Sequence, residues 1–527
     1  MNNRKMIYCV CFCLLVISGL AGTVCADQRI PLINNDFSQW LAPTGDWTMA
    51  QKVTLDSGDP RKLTWQAGKG IAVNGPSGRT AHLVSKRSFG DVQAHIEFMV
   101  SKGSNSGAYF SGRYEIQVFD SWQQQGPYPG IECGGIYQRW DNNRPAAHRG
   151  FEGHSPTFKG AVVNYSLPPG QWQTFDVIFR APRFDDQGHK ILNAAFIKVK
   201  HNGKVVHDYV ELTGPTRAGL YQDEQPLGPL MLQGDHGPVA YRNIWIEPID
   251  LDACQLPNPF FSYHNGIRPA GDGSVRAQVD LLKQLGYTGT EHSGFKNIKA
   301  MLSALDRQSL QLHSIYTPLN LDPQQHAYDP ALDQVLPDLK GRRTLLWLHV
   351  HGPKTTSMTD QELDQRTVTL LRDLSRGVKA YDVALAIYPH AGFHVEGVDH
   401  ALRLVKQVDR PNVGITFNLC HHLKVDGAAD LFEVLTRAKP FLFSIGINGA
   451  NSGDAQSMGW DQLIQPLGSG TYDTYAMVKH LTDMGFTGSY GLQCYNIKAA
   501  PEVHLQQSMH AWQAIAQRLE ADRLLSL

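Results

Sequence analysis

From about residue 258 onward the sequence keeps a beat that few folds can satisfy: a short apolar run, a turn, then a segment of helical period. The apolar runs are FFSYHNG, YTGTEH, LQLHSIYTP, TLLWLHVHG, VALAIYPHAG, NVGITFNLCHH, FLFSIGINGAN and GSYGLQCYN. Helical periodicity follows each, predicting helices over 275–285, up to about 305, 331–339, 359–380, 398–408, 428–438, 471–484 and 503–524. Near-continuous apolar strands belong to parallel sheets covered on both faces. Eight strand–helix units in some 270 residues have the count and size of a (β/α)8 TIM barrel.

Nothing before residue 250 shares that beat. DVQAHIEFMV, FDVIFRAPRF, AAFIKVKHNGKVVHDYVEL and YRNIWIEPI read as strands, and no helical period of any length interrupts them. Asn202-Gly203 between two β-rich runs predicts a hairpin. Many strands with Gly and Pro turns imply an all-β sandwich or jelly roll. Prolines 248, 257 and 259 mark the boundary, giving domains over 27–250 and 251–527.

Residues 1–26 have the composition of a signal peptide. Arg4 and Lys5 precede an apolar run from Ile7 to Leu20, and Val24-Cys25-Ala26 offers small residues for cleavage. The expectation is an exported protein, periplasmic or extracellular, with no membrane span. Charges balance at 48 basic against 49 acidic, with no basic stripe for nucleic acid, so a small neutral molecule is the expected partner. Beyond the leader the cysteines are Cys133, Cys254, Cys420 and Cys494, without CxxC spacing, and are expected as free thiols.

Chemistry concentrates in the stretch NSGAYFSGRYEIQVFDSWQQQGPYPGIECGGIY, residues 105–137. In a strand, Tyr114, Ile116 and Val118 face one way while Arg113, Glu115 and Gln117 face the other. That row is a carboxylate flanked by a cation and an amide. It equally suits the wet face of an antiparallel sheet.

Ordered motifs in the first half resemble the 3-keto-disaccharide hydrolase domain family, a concanavalin-A-like sandwich. They are Asn105-Ser106-Gly107, Arg113 to Gln117, Gly134 to Tyr137, Pro169 to Trp172, Leu232 to Gly237, and Tyr241 to Ile244. The second half resembles the xylose-isomerase-like sugar isomerase/epimerase barrels. The first resemblance implies cleavage of 3-keto-glycosides. A ketone at carbon 3 acidifies the carbon-2 hydrogen, a base removes it, and the enolate expels the glycosidic oxygen. Glu115 is the expected base, Arg113 the cation for the enolate oxygen, and Gln117 and His236 further catalytic groups. Tyr109, Tyr137, Gln233 and Arg242 are expected at the sugar.

In the barrel, residues at the carboxyl ends of strands are the candidates: Glu291 and His292, His313, His349 and His351, His390, Asn418 and His421, Asn448, and Gln493. Of these, Glu291, His349, Asn418 and Gln493 are expected to bind substrate. The resemblance implies acidic metal ligands after strands five, six and eight, where this chain carries Tyr388, Asn418 and Gln493. Hard cations need anionic oxygens, so the usual carboxylate metal site is not expected. A divalent transition metal on His390 and His421 with Glu291 is the arrangement that remains. The alternative to sandwich catalysis is a glycan-binding sandwich attached to an isomerase-like barrel that has lost its metal.

Overall fold

The computed structural model describes residues 29–126, 129–268, 270–353 and 358–526. The leader expected over residues 1–26 lies outside the described residues. The chain divides between Ile249 and Asp250 into two units, each with its own core.

In the first unit β-branched and aromatic residues at period 2 build two antiparallel sheets. The larger runs Lys204–Leu212, Ala194–His201, Gln173–Arg180, Val92–Val100, Val239–Pro248, Leu63–Val73 and Thr48–Leu55, with Ile30–Pro31 also paired to Val239–Pro248. The smaller runs Leu83–Phe89, Gly228–Leu232, Asn105–Phe110 and Tyr114–Phe119. Side chains from both inner faces fill the space between. Phe110 meets Phe179 at 5.5 Å between ring centres, and Phe98 meets Phe175 at 4.7 Å. Each such buried ring is worth ~1.5–3 kcal/mol of transfer free energy. The predicted hairpin forms at Asn202-Gly203, whose φ values of +50° and +76° are the left-handed pair such a turn needs.

The second unit is a closed parallel barrel of eight strands: Phe260–Ser262, Gly289–Ser293, Gln311–Asn320, Leu345–His351, Ala384–Ile387, Val413–Asn418, Leu442–Ile447 and Ser489–Leu492. Strand four shows how sequence becomes architecture. Leu346, Leu348 and Val350 pack outward into the helix-covered core. Alternation turns Leu345, Trp347, His349 and His351 to the other face. Trp347 joins Phe261, Tyr263 and Tyr388 in a separate aromatic cluster, its indole N–H donating to Ser444 Oγ at 3.1 Å. After strand six, Leu419 to His422, read with the apolar run, instead open a helix of their own over Leu419–Val425, ahead of the expected one at Leu431–Ala438.

Cys133, Cys254, Cys420 and Cys494 are free thiols. No helix among the described residues is long and apolar enough to cross a membrane.

Candidate active sites

The expected polar row on the smaller sheet forms only in part. Phe110 pairs with Tyr114, so Ser111, Gly112 and Arg113 make a turn, with Ser111 and Gly112 at φ of +55° and +64°. Arg113 therefore leaves the ladder. Its guanidinium donates to the Asp223 carbonyl at 2.5 Å, Asp223 Oδ1 at 3.0 Å and the Ser111 carbonyl at 2.8 Å, and lies over the Tyr221 ring. The expected Arg113–Glu115 partnership is corrected: the cation is consumed by Asp223.

Glu115 remains, and its isolation is the important fact. It is 2% exposed, and its Oε2 has no hydrogen-bond partner. Burial pushes its pKa up to about 8, against a smaller downward pull from the Tyr109 hydroxyl; Asp235 adds to the rise. Tyr109 stands directly opposite on the neighbouring strand, and Gly107 stands opposite Gln117. The glycine matters: a Cβ at Gly107 would sit 2.2 Å from Glu115 Oε1. Gln117 Oε1 and Asn105 Oδ1 are likewise buried acceptors without a partner. Gln233 continues the same face, its N–H donating to the Gly107 carbonyl at 2.9 Å, and the Tyr137 N–H donates to the Glu115 carbonyl at 3.2 Å. At the rim, half-exposed His236 pairs with Asp235, Nδ1 to Oδ1 at 2.5 Å.

Arg242 is not part of this group. It belongs to the larger sheet, donates to Glu97 Oε2 at 2.6 Å and stacks over Trp172 at 4.1 Å. Its assignment to the sugar is corrected.

In the barrel the carboxyl ends of the strands surround a cavity of about 400 Å³. Glu291, His390, His421 and Gln493 line it, with Asn265, Tyr263, Tyr316, Tyr388, Trp460 and Tyr495. Glu291 accepts from the His264 N–H at 2.8 Å and from Ser293 Oγ at 3.2 Å. Burial raises its pKa to about 7, with those hydrogen bonds opposing. Gln493 Oε1 accepts from Asn265 Nδ2 at 2.8 Å and the Tyr495 N–H at 3.0 Å. Asn418 lies beneath the lining rather than in it, donating to the hydroxyls of Tyr263 and Tyr388. His349 is also displaced: it stacks on Tyr316 at 4.1 Å, shares a 2.6 Å contact with His351, and borders a separate hollow. His313 sits near the start of strand three, against Thr288 Oγ1 at 2.9 Å and stacked on Phe261; it is a core histidine and no strand-end group. Asn448 Nδ2 donates to the Gly449 and Leu463 carbonyls, while its buried Oδ1 has no partner.

A metal at this mouth does not fit the residues present. Glu291 is the one carboxylate among the lining residues, and both its oxygens are engaged. Tyr388, Asn418 and Gln493 are neutral and bonded within the protein. The rings of His390 and His421 lie 3.9 Å apart between centres, tilted by 38°, but no third His, Cys, Asp or Glu completes a ligand group with them among the described residues. Burial holds both imidazoles below their ordinary pKa.

Sequence reasoning missed most of the aromatic lining. Tyr316 and Trp347 follow from strand alternation, but Trp460 and Tyr495 stand outside the barrel strands and carry no periodic signal.

Fold and sites together define a two-domain protein, a β-sandwich with a buried carboxylate followed by a parallel barrel with an aromatic mouth. Residues 28–247 match the family model described as the 3-keto-alpha-glucoside-1,2-lyase-like domain, and residues 279–515 match that of the xylose isomerase-like TIM barrels. Among solved structures, a putative glycosyl hydrolase from Parabacteroides distasonis is 24% identical, covering 42% of this chain and 84% of its own, with a TM-score of 0.29. The 3-keto-D-glucoside 4-epimerase YcjR from E. coli is 14% identical over 49% of this chain and 98% of its own, TM-score 0.39. D-psicose 3-epimerase from Clostridium cellulolyticum is 13% identical over 51% of this chain and 99% of its own, TM-score 0.36. No curated protein sequence matches the chain.

Proposed function

We propose that the sandwich cleaves 3-keto-glycosides with Glu115 as the base, in a protein that its leader-like residues 1–26 mark for export. One observation carries the proposal: a fully buried carboxylate without a cation, its pKa near 8, one oxygen unpartnered, among tyrosine and amide side chains. A structural carboxylate would be paired; a base needs a free lone pair and a raised proton affinity.

Ionised Glu115 removes the proton from carbon 2. The electron pair forms the enolate of the carbon-3 ketone, then returns to expel the glycosidic oxygen from carbon 1. The departing oxygen takes a proton from solvent, water adds to the unsaturated ketone at carbon 1 and gives up its second proton to solvent, and Glu115, its own proton exchanged with the entering water, reprotonates carbon 2. With Arg113 bound to Asp223, the donors for the enolate oxygen are the Tyr109 and Tyr137 hydroxyls and His236. The unpartnered oxygens of Gln117 and Asn105 suit the hydroxyl hydrogens of a sugar. The barrel cavity, aromatic with one carboxylate, suits a neutral sugar, in keeping with an isomerase-type pocket that has given up its metal.

The test compares the full-length protein with Glu115→Gln and Glu291→Gln on a 3-keto-glucoside and its unoxidised parent. Wild type should cleave only the ketone. Glu115→Gln should lose at least ~100-fold, the least a general base contributes, while Glu291→Gln keeps cleavage. Loss confined to Glu291→Gln would move the chemistry to the barrel and end the proposal.

A further inference from the structure

Away from the central cavity, three side chains from three segments of the barrel unit converge on a point. Asp364 comes from the helix Asp360–Val378, His394 from the segment after strand five, and His400 from the helix Val398–Val408. His394 Nε2 lies 3.0 Å from Asp364 Oδ1, and His400 Nε2 lies 2.7 Å from the same oxygen. Among the described residues this is the one set of three or more His, Cys, Asp or Glu ligand atoms all within 4.8 Å of each other. Arg403 approaches the other carboxylate oxygen, at 3.8 Å, and leaves Oδ1 to the imidazoles.

We infer that Asp364, His394 and His400 hold a divalent transition-metal ion of the zinc type. Two imidazole nitrogens and one carboxylate oxygen are the donors zinc takes, with bonds of about 2.0–2.2 Å. Tetrahedral bonds of that length set ligand atoms about 3.3 Å apart, so the two imidazole–carboxylate distances of 3.0 and 2.7 Å, which are hydrogen bonds without an ion, need open by only a few tenths of an ångström. A hard ion such as magnesium or calcium would want more oxygens than this set offers. Acidic side chains border the triad, some of them already paired, Asp399 with Arg437 and Asp426 with His422. A hollow of about 350 Å³ adjoins the triad, bordered by His394 and His400 and by Glu396, Asp399, Asp426 and Asp430.

The ion's role follows from what it would pin. The His394 N–H bonds the strand-four carbonyl of Val350 at 3.0 Å, and the His390 N–H bonds the Val395 carbonyl at 3.0 Å. Phe393, beside His394, stacks on His390 at 4.0 Å. A metal at the triad would therefore hold the segment that presents His390 to the central cavity, as a structural ion beside the pocket rather than in it.

Cobalt is the probe. Full-length protein, stripped with chelator and dialysed, is titrated with Co²⁺ and read by its visible d–d absorption, then challenged with Zn²⁺. Wild type should bind one Co²⁺ per chain, lose the band to zinc, and melt at a higher temperature with zinc present. His394→Gln and His400→Gln should each lose the band and the zinc-dependent shift, and His390→Gln should keep both. A wild type that binds no cobalt overturns the inference, whether or not the variants fold. So does a band that survives in His400→Gln or disappears in His390→Gln, because the ion then sits elsewhere.

Discussion

Glu115 shows how a residue's chemistry is set by what its neighbours decline to do. In sequence it stands two residues from Arg113, and a pair between them would have held its pKa low. Because Arg113 turns to Asp223, the carboxyl is buried alone and its pKa rises to about 8. Two expectations follow. The base must be ionised, so kcat/KM on a 3-keto-glycoside should climb with pH and level off above about 8; a profile flat from pH 5 to 9 would remove Glu115 as the base. Stability moves the other way. An unfolded glutamate titrates near 4.5, so unfolding releases a proton wherever the folded side chain is still protonated. Stability contributed by this group falls as pH rises from about 4.5 through about 8, by at most on the order of 5 kcal/mol. Glu115→Gln should thus raise Tm at pH 8.5 while it removes activity. Gly107 offers a second, steric test: Gly107→Ala sets a methyl 2.2 Å from Glu115 Oε1. Cleavage should fall at least ~10-fold with the fold retained by circular dichroism, since small misplacements of a catalytic group cost ~100-fold.

At the scale of elements, local pattern carries far. Strand four, LLWLHVH, reveals its inward and outward sets by alternation alone, and the helices Val275–Leu285, Ala331–Leu339 and Val398–Val408 match their periodic runs end to end. What alternation cannot convey is which sheet a strand joins. Arg242 and Glu115 both sit in polar–apolar strands, yet the two strands lie in different sheets, and the Arg242 strand bulges just beyond it. His313 was misplaced for a related reason: strand three is ten residues long, and its third residue is at the buried start. Caps are legible because they are local. Thr359 and Glu362 form a reciprocal capping box at the start of the helix that carries Asp364, the Thr359 N–H donating to Glu362 Oε2 at 2.7 Å and the Glu362 N–H to Thr359 Oγ1 at 3.3 Å. Thr359→Ala should cost ~1 kcal/mol in urea unfolding, and by the inference above should weaken cobalt binding as well.

For the molecule as a whole, buried neutral histidines set the response to acid. Burial depresses His201 to about 3 and His207 to about 4 in the sandwich, and His264 to about 3, His313 to about 4 and His349 to about 3 in the barrel. Their folded values lie below the unfolded value of 6.5, so the unfolded chain binds more protons below that pH. The stability they hold is intact above 6.5 and is lost as pH falls toward 3–4. Each group supplies up to ~1.4 kcal/mol per pH unit. Between pH 4.5 and 6.5 these five outweigh the opposite slope of Glu115 and Glu291, so both units should unfold at lower urea at pH 5 than at pH 7; greater resistance at pH 5 would show the histidines to be solvated. None of this was readable from composition, because a histidine's pKa depends on which face it takes. The proposed cleavage begins with one proton transfer, from carbon 2 to Glu115, and that step can be watched. In D₂O, wild type should exchange the carbon-2 hydrogen of a 3-keto-glucoside for deuterium, by NMR, and Glu115→Gln should not. Exchange at the wild-type rate in folded Glu115→Gln, or cleavage by wild type without any exchange into recovered substrate or product, would contradict the assignment of Glu115 as the base.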